Sequence, residues 1–130
     1  MIADSSAIIA ILELESDARE LVQAIQEAPD RRISVANYVE TAVVLDSRRD
    51  PILSRRLDDF LREAQFSLEP VTVEQARMAR EAYRDYGKGR HRAALNFGDC
   101  FAYALAKEKG EPLLFKGNDF RKTDVEVAEY

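Results

Sequence analysis

The sequence contains a single cysteine, Cys100, and a single histidine, His91. One cysteine cannot form an intrachain disulfide, so a reducing, cytoplasmic setting is expected, and one histidine with one cysteine argues against a zinc site. Apolar runs such as Ala7 to Leu12 are too short to cross a bilayer, and no basic residue precedes this one, so neither a membrane span nor a secretory signal is expected.

Positively charged residues are fewer than negatively charged ones, since 19 Lys and Arg residues compare with 24 Asp and Glu residues, and the net charge is −5. Bulk charge of this sign does not favour general binding to nucleic acid. If the protein acts on nucleic acid, it needs a local basic patch or a metal ion to overcome its own field.

The length of 130 residues, with 46% hydrophobic and 33% charged residues, is typical of one globular domain spanning residues 1–130. Short apolar runs predict five strands, at residues 1–3, 32–36, 66–71, 113–115 and 124–128. A hydrophobic helix is predicted after Ser5 and Ser6, and further helices at 17–28, 37–49, 53–64, 73–86 and 99–109, with a loop at 87–96. This alternation predicts an α/β fold with a five-stranded, mainly parallel sheet flanked by helices on both faces.

Four acidic residues follow the predicted strands or lie early in the predicted helices. Asp4 ends the first strand, Glu40 lies one turn into the helix after the second, Asp99 opens the apolar helix 99–109, and Asp119 follows the fourth strand. Because the carboxyl ends of parallel strands share one edge of the sheet, these side chains can converge. Clustered like charges are unfavourable without a cation, and all-oxygen ligands suit Mg²⁺ or Mn²⁺.

Each acid also has a purely structural interpretation. Asp4 and Asp99 occupy positions typical of helix N-caps, and Asp119 lies in a stretch typical of turns. Asn37 and Glu40 have the spacing of a capping box. Spacing alone therefore favours structural roles for the acids when each is taken singly.

Four stretches together resemble the motifs of PIN-domain ribonucleases, specifically the VapC toxins of type II VapBC toxin–antitoxin pairs. They are Met1 to Ala7, Asn37 to Thr41, Tyr86 to Cys100 and Leu113 to Asp124, in the order that the family has them. The resemblance covers essentially the whole chain. It implies a PIN-like fold and a Mg²⁺-dependent endoribonuclease, with Mn²⁺ as a substitute ion, that hydrolyses RNA phosphodiester bonds by metal-activated water.

The resemblance also implies roles for individual residues. The family's acidic quartet, which is both catalytic and metal-binding, is matched by Asp4, Glu40, Asp99 and Asp119, and Ser6 matches the hydroxyl residue that supports the first acid. Many relatives have Asp where this chain has Asn118, which supplies no charge, and Asp124 is read as a structural acid at a strand end.

The partners implied by the resemblance are an RNA substrate, a VapB-like antitoxin and a second copy in a homodimer, with no membrane partner. A basic residue near the C-terminal end of the antitoxin is expected to sit among the four acids, where charge-assisted hydrogen bonds can form. The apolar segments 7–14 and 52–64 are each expected either to offer a stripe for dimer or antitoxin contact or to be consumed by the core.

The stretch from Arg84 to Arg92 is the candidate RNA-binding segment, since cations hold phosphates and aromatic rings stack on unpaired bases. A solvated loop is the alternative interpretation, and His91 is not favoured as a catalytic base. Asn96, which follows, suits either a ligand-orienting residue or a helix cap. The proposed RNA contacts are Arg84, Lys88, Arg90 and Arg92.

Other functions fit the sequence less well. A receiver domain of a two-component system needs an acidic pair after the first strand and an aspartate after the third, whereas Asp4 is followed by serines and the third strand ends in Glu69-Pro70. A PIN nuclease of RNA processing outside a toxin–antitoxin pair remains the alternative function, and the small size and the Tyr86 to Cys100 stretch favour the toxin. An inactive, purely binding PIN fold is disfavoured because all four acids are present.

Overall fold

The centre of the molecule is a parallel sheet of four short strands, seen in a computed structural model that describes residues 1–130. The strands are β1 (Ile2–Ala3), β2 (Arg32–Ser34), β3 (Ser67–Glu69) and β4 (Leu113–Leu114), and they lie in the order β3-β2-β1-β4. Each neighbouring pair is parallel. β3 and β4 are therefore the edge strands.

Six α-helices cover the sheet. They are α1 (Ser5–Leu12), α2 (Ala18–Glu27), α3 (Val35–Asp46), α4 (Pro51–Glu63), α5 (Val73–Tyr86) and α6 (Phe97–Lys109), with a 3₁₀ helix at Phe120–Lys122. Successive strand residues point to opposite faces, so Ile2 and Leu113 pack with α5 and α6, whereas Ala3 and Leu114 pack with α1, α2 and α4. This arrangement confirms the predicted α/β class with helices on both faces. None of the helices combines the length and apolar character needed to cross a membrane.

The predicted fifth strand at residues 124–128 is wrong as a strand, because the segment forms only one isolated parallel bridge, between Leu113 and Val127. The alternation that suggested a strand is real, since Val125 is buried and Glu126 is exposed. Its partner β4 is only two residues long, however, and the pairing consists only of the backbone hydrogen bonds made by Leu113.

Two helix starts also differ from the prediction, because other residues act as caps. Ser34 is the N-cap of α3, its Oγ accepting a hydrogen bond from the Ala36 amide at 3.2 Å, so the capping box proposed for Asn37 and Glu40 is wrong. Asn96 is the N-cap of α6, which begins two residues before Asp99. The open choice for Asn96 is thereby resolved in favour of a helix cap.

Helix α5 has the predicted bounds. Its core side runs through Gln75, Ala79 and Ala82. Tyr86 is half-buried, whereas Ala76 is exposed and Tyr83 keeps 42% of its surface in solvent. The apolar residues on the other side of this helix are left at the surface.

Candidate active site

Asp4 connects the end of β1 to the start of α1 and is only 3% exposed. It is the N-cap of α1, and its Oδ2 accepts hydrogen bonds from the Ser6 amide at 3.0 Å and the Ser6 hydroxyl at 2.7 Å. The Ser6 hydroxyl oxygen in turn accepts from the amide of Lys116 at 3.0 Å, which ties Asp4 to the segment after β4. Burial raises the pKa of Asp4, the bonds from Ser6 oppose that rise, and the charge of Glu40 adds to it.

Glu40 lies on α3 and reaches the first turns of two other helices. Its Oε1 accepts hydrogen bonds from the hydroxyl of Ser5 and from Nδ2 of Asn37, the latter at 3.3 Å. Its other oxygen, Oε2, packs against Gly98, where a Cβ atom would overlap the carboxylate. The carboxylate is thus enclosed by α1, α3 and the start of α6.

Asp99 lies in the first turn of α6 and forms a capping box with Asn96. The Asp99 amide donates to Asn96 Oδ1 at 2.9 Å, and the Asn96 amide donates to Asp99 Oδ2 at 2.9 Å. Burial raises the pKa of Asp99 to about 7, against the lowering effect of the Asn96 bond, and the charges of Asp4, Glu40 and Asp119 raise it further. These repulsions place the four carboxylates in one electrostatic cluster.

Asp119 is the exposed member of this cluster and lies just before the 3₁₀ helix, where its side chain makes no capping bond. Its neighbour Asn118 is also exposed, and its backbone carbonyl accepts from the Arg121 amide at 3.2 Å. Asp124 lies outside the cluster, because it accepts hydrogen bonds from the hydroxyl of Tyr103 and, at 3.1 Å, from Lys107. These bonds are consistent with the structural role predicted for Asp124.

Asp4 follows the end of β1 and Asp119 follows β4 by a few residues, and the charges of Asp4, Glu40 and Asp119 all act on Asp99. No three His, Cys, Asp or Glu side chains are grouped closely enough to hold a metal ion as they stand. The donor chemistry nevertheless fits a hard cation, because every donor is an oxygen and Oδ1 of Asp4 is buried without a hydrogen-bond partner.

The predicted RNA-binding residues are exposed, and none of them is in a salt bridge. The loop that carries three of them is closed by a bridge between Gly87 and Leu95, with the amide of Lys88 donating to the Leu95 carbonyl at 2.9 Å. The guanidinium of Arg90 lies over the Tyr83 ring, 5.6 Å from its centre. The residues concerned are Arg84, Lys88, Arg90 and Arg92.

His91 has a structural place in the same loop. Its Nδ1 accepts a hydrogen bond from the Ala93 amide at 3.0 Å, and its ring meets the Tyr86 ring edge-on with the centres 5.2 Å apart. Both contacts are made within the segment 86–93, and neither involves the acids.

An apolar cavity of about 360 Å³ lies between α5 and the start of α6. Phe97, which is 81% exposed, lines it two residues before Asp99. Cys100, predicted to be a buried small residue, forms part of its floor, and burial raises the pKa of this thiol to about 11. The other lining residues are Ala76, Ala79, Arg80, Tyr83 and Phe101.

Sequence reasoning missed three residues that contact the acids, namely Ser5, Asn37 and Gly98. Asn37 is fully buried and its Nδ2 donates to the carbonyl of Gly98 at 2.9 Å, 61 positions along the chain. A polar residue in an apolar helix segment is a signal for a buried hydrogen bond, but the partner cannot be identified from one sequence.

Comparison with known proteins agrees with this geometry. The model of the PIN domain family matches residues 1–126. Over 129 residues the chain is 57% identical to Ribonuclease VapC28 of Mycobacterium tuberculosis, covering 98% of this chain and 97% of that protein.

Two solved structures have the same fold at 18% identity. Mycobacterium tuberculosis VapC20, described as a sarcin–ricin-loop-cleaving toxin, matches with a TM-score of 0.78 over 95% of each chain. A chain of a toxin–antitoxin complex from Klebsiella pneumoniae matches with a TM-score of 0.75 over 99% of this chain and 97% of that one. The family match and the sequence relative together show that the chain belongs to the PIN-domain family and, within it, to the VapC ribonucleases.

Proposed function

We propose that this protein is a Mg²⁺-dependent endoribonuclease and the toxin of a type II toxin–antitoxin pair. The observation that carries the proposal is the cluster of four carboxylates, contributed by four separate elements, in which repulsion and burial raise the pKa of Asp99 to about 7. Such a cluster destabilises the fold unless it serves a ligand. Relatives named VapC, matched over nearly their whole length, favour the toxin over a PIN nuclease of general RNA processing.

The metal ligands in this proposal are the carboxylates of Asp4, Glu40, Asp99 and Asp119. When bound, Mg²⁺ neutralises them, polarises the scissile phosphate and lowers the pKa of a bound water. Ser6 fixes the orientation of Asp4 through Oδ2 and so leaves Oδ1 for a ligand. Glu40 through Oε2, or the exposed Asp119, accepts a hydrogen bond from the attacking water and positions it as the base.

In this proposal, RNA is bound by basic side chains at the end of α5 and in the loop before α6. Arg84, Lys88, Arg90 and Arg92 are exposed and have no acidic partner, so their charges are available to phosphates. The loop leads directly into Asn96 and Asp99, which brings bound RNA to the acids. This local basic patch allows RNA to bind despite the net charge of −5.

A second copy of the chain covers the apolar surface around Phe97. An exposed ring of this size beside a cavity with apolar walls is self-complementary, because a two-fold axis lets Phe97 of each copy fill the cavity of the other.

The antitoxin covers the groove between α1, α2 and α4 and extends a basic tail into the acidic cluster. Most of the apolar residues of α1 are consumed by the core, but Leu14 remains 75% exposed and lines a cavity of about 360 Å³ with Ile11, Val22 and Phe60. Charged residues rim this groove, as suits an amphipathic partner helix. The match to a toxin–antitoxin complex supports a partner of this kind.

The proposal is tested with purified protein, free of antitoxin, and structured RNA. Cleavage is expected with Mg²⁺ or Mn²⁺ and is expected to stop when EDTA is added and to return when the ion is restored. Undiminished cleavage in EDTA contradicts the metal-dependent mechanism.

A further inference from the structure

We propose that Ser5 and Asn37 are positioning residues that hold the Glu40 carboxylate by one oxygen and leave the other free for the reaction. The inference rests on the proposed function, because it concerns how one of the four acids is held. Both residues contact Glu40 from buried positions, and neither belongs to the acidic quartet.

The hydroxyl of Ser5 has two acceptors within reach, Glu40 Oε1 and the carbonyl of Asn37, the second at 3.2 Å. A hydroxyl has only one proton to donate. Glu40 Oε1 is the nearer of the two, and a carboxylate is a stronger acceptor than a backbone carbonyl. Ser5 therefore donates to Glu40.

The amide of Asn37 is oriented by its surroundings. Its Nδ2 faces two acceptors, the Gly98 carbonyl at 2.9 Å and Glu40 Oε1 at 3.3 Å, so the opposite orientation would set an oxygen against both. The consequence is that Oδ1 of Asn37 is buried without a partner. A buried acceptor left unsatisfied weakens the fold, so the residue is better explained by the carboxylate it orients than by stability.

Gly98 completes the enclosure of the Glu40 carboxylate because it has no Cβ atom. A Cβ atom at this position would overlap Oε2 and Cδ of Glu40, so the carboxylate lies in space that only glycine leaves open. The hydrogen bonds from Ser5 and Asn37 both go to Oε1 of Glu40, and Oε2 receives none. Because Gly98 precedes Asp99, the bond from Asn37 to the Gly98 carbonyl also fixes the spacing between Glu40 and Asp99.

The test compares Ser5→Ala and Asn37→Ala with Thr41→Val. The control removes a buried hydroxyl bond to the same Asn37 carbonyl but does not touch Glu40. Each variant is measured for its RNA cleavage rate at saturating RNA, its KM, its affinity for Mn²⁺ without RNA, and its thermal unfolding. Ser5→Ala and Asn37→Ala are expected to lower the rate and the Mn²⁺ affinity by about tenfold or more with little change in KM, as for groups that orient metal ligands. Thr41→Val is expected to change only the unfolding temperature.

A double-mutant cycle with Glu40→Gln separates the outcomes. If Ser5 acts through Glu40, adding Ser5→Ala to Glu40→Gln causes no further loss of Mn²⁺ affinity, whereas additive losses overturn the inference. Losses in Ser5→Ala and Asn37→Ala no larger than in Thr41→Val overturn it as well, and leave the proposed function intact. Wild-type cleavage and Mn²⁺ binding in Glu40→Gln itself would instead remove Glu40 from the proposed function.

Discussion

Asp99→Asn is expected to reduce the pH dependence of the stability of the metal-free protein. The folded pKa of Asp99 is about 7 and its ordinary value is 3.8, so the folded state binds the proton more tightly than the unfolded state. Stability therefore falls as the pH rises through this window, by roughly 2 to 3 kcal/mol between pH 5 and pH 8 for this one group. For a domain of this length that corresponds to about 10 °C in melting temperature. Asn keeps an oxygen for the Asn96 amide, so the capping box survives the change.

The assay is thermal unfolding in EDTA from pH 5 to pH 8 for wild type, Asp99→Asn and Asp46→Asn. Asp46 is an exposed acid at the end of α3, so its variant should keep the wild-type slope. Acids with lowered pKa values, such as Asp17 and Glu111, lose their stabilising effect only below this window. Asp4, whose pKa is also raised, adds a dependence of the same sign in both proteins, so the difference in slope reports Asp99 together with its coupling to Asp4. Parallel slopes would refute the reasoning.

Three further predictions concern the surfaces. Replacing Lys88, Arg90 and Arg92 together by Ala should weaken RNA binding and reduce the slope of log affinity against log salt by about 2, while cleavage at saturating RNA falls less; equal losses would mean that the loop shapes the active site. Phe97→Ser should be a monomer where the wild type is a dimer, as measured by light scattering, and an unchanged mass would show that Phe97 does not lie in the interface. Removing the basic residue from the antitoxin tail should restore cleavage while the complex still co-purifies; continued inhibition would place the block elsewhere.

Most of the fold follows from local patterns in the sequence. The bounds of α5 are predictable because Thr72 caps its start and Gly87 follows its end. The fifth strand was overpredicted because alternation reports which residues are buried and says nothing about whether the neighbouring strand is long enough to pair. The exposure of Tyr83 is not predictable, because a helical stripe of apolar residues has the same sequence pattern whether it faces the core or a surface cavity.

Parallel topology indicates that the four acids can meet at one edge, but their assignment as a quartet depends on the family resemblance. The residues that support the acids were not predictable, because the contacts join residues far apart in the chain, such as Ser5 with Glu40 at a separation of 35. The capping role given to Asn37 shows the difficulty: the spacing to Glu40 fits a capping box, but Ser34 already caps the helix and leaves Asn37 to face Gly98. One sequence records which residues are polar and does not record which buried partner each one meets.

The most direct measurement of the central claim is RNA cleavage by Asp4→Asn in saturating Mg²⁺, beside Asp46→Asn. Asn can cap α1 and accept the bonds from Ser6, so the variant should fold with stability equal to or above that of wild type, yet it loses the charge that the ion requires. The account predicts that cleavage is lost in Asp4→Asn and unchanged in Asp46→Asn, with both proteins folded. Wild-type cleavage by folded Asp4→Asn would contradict it.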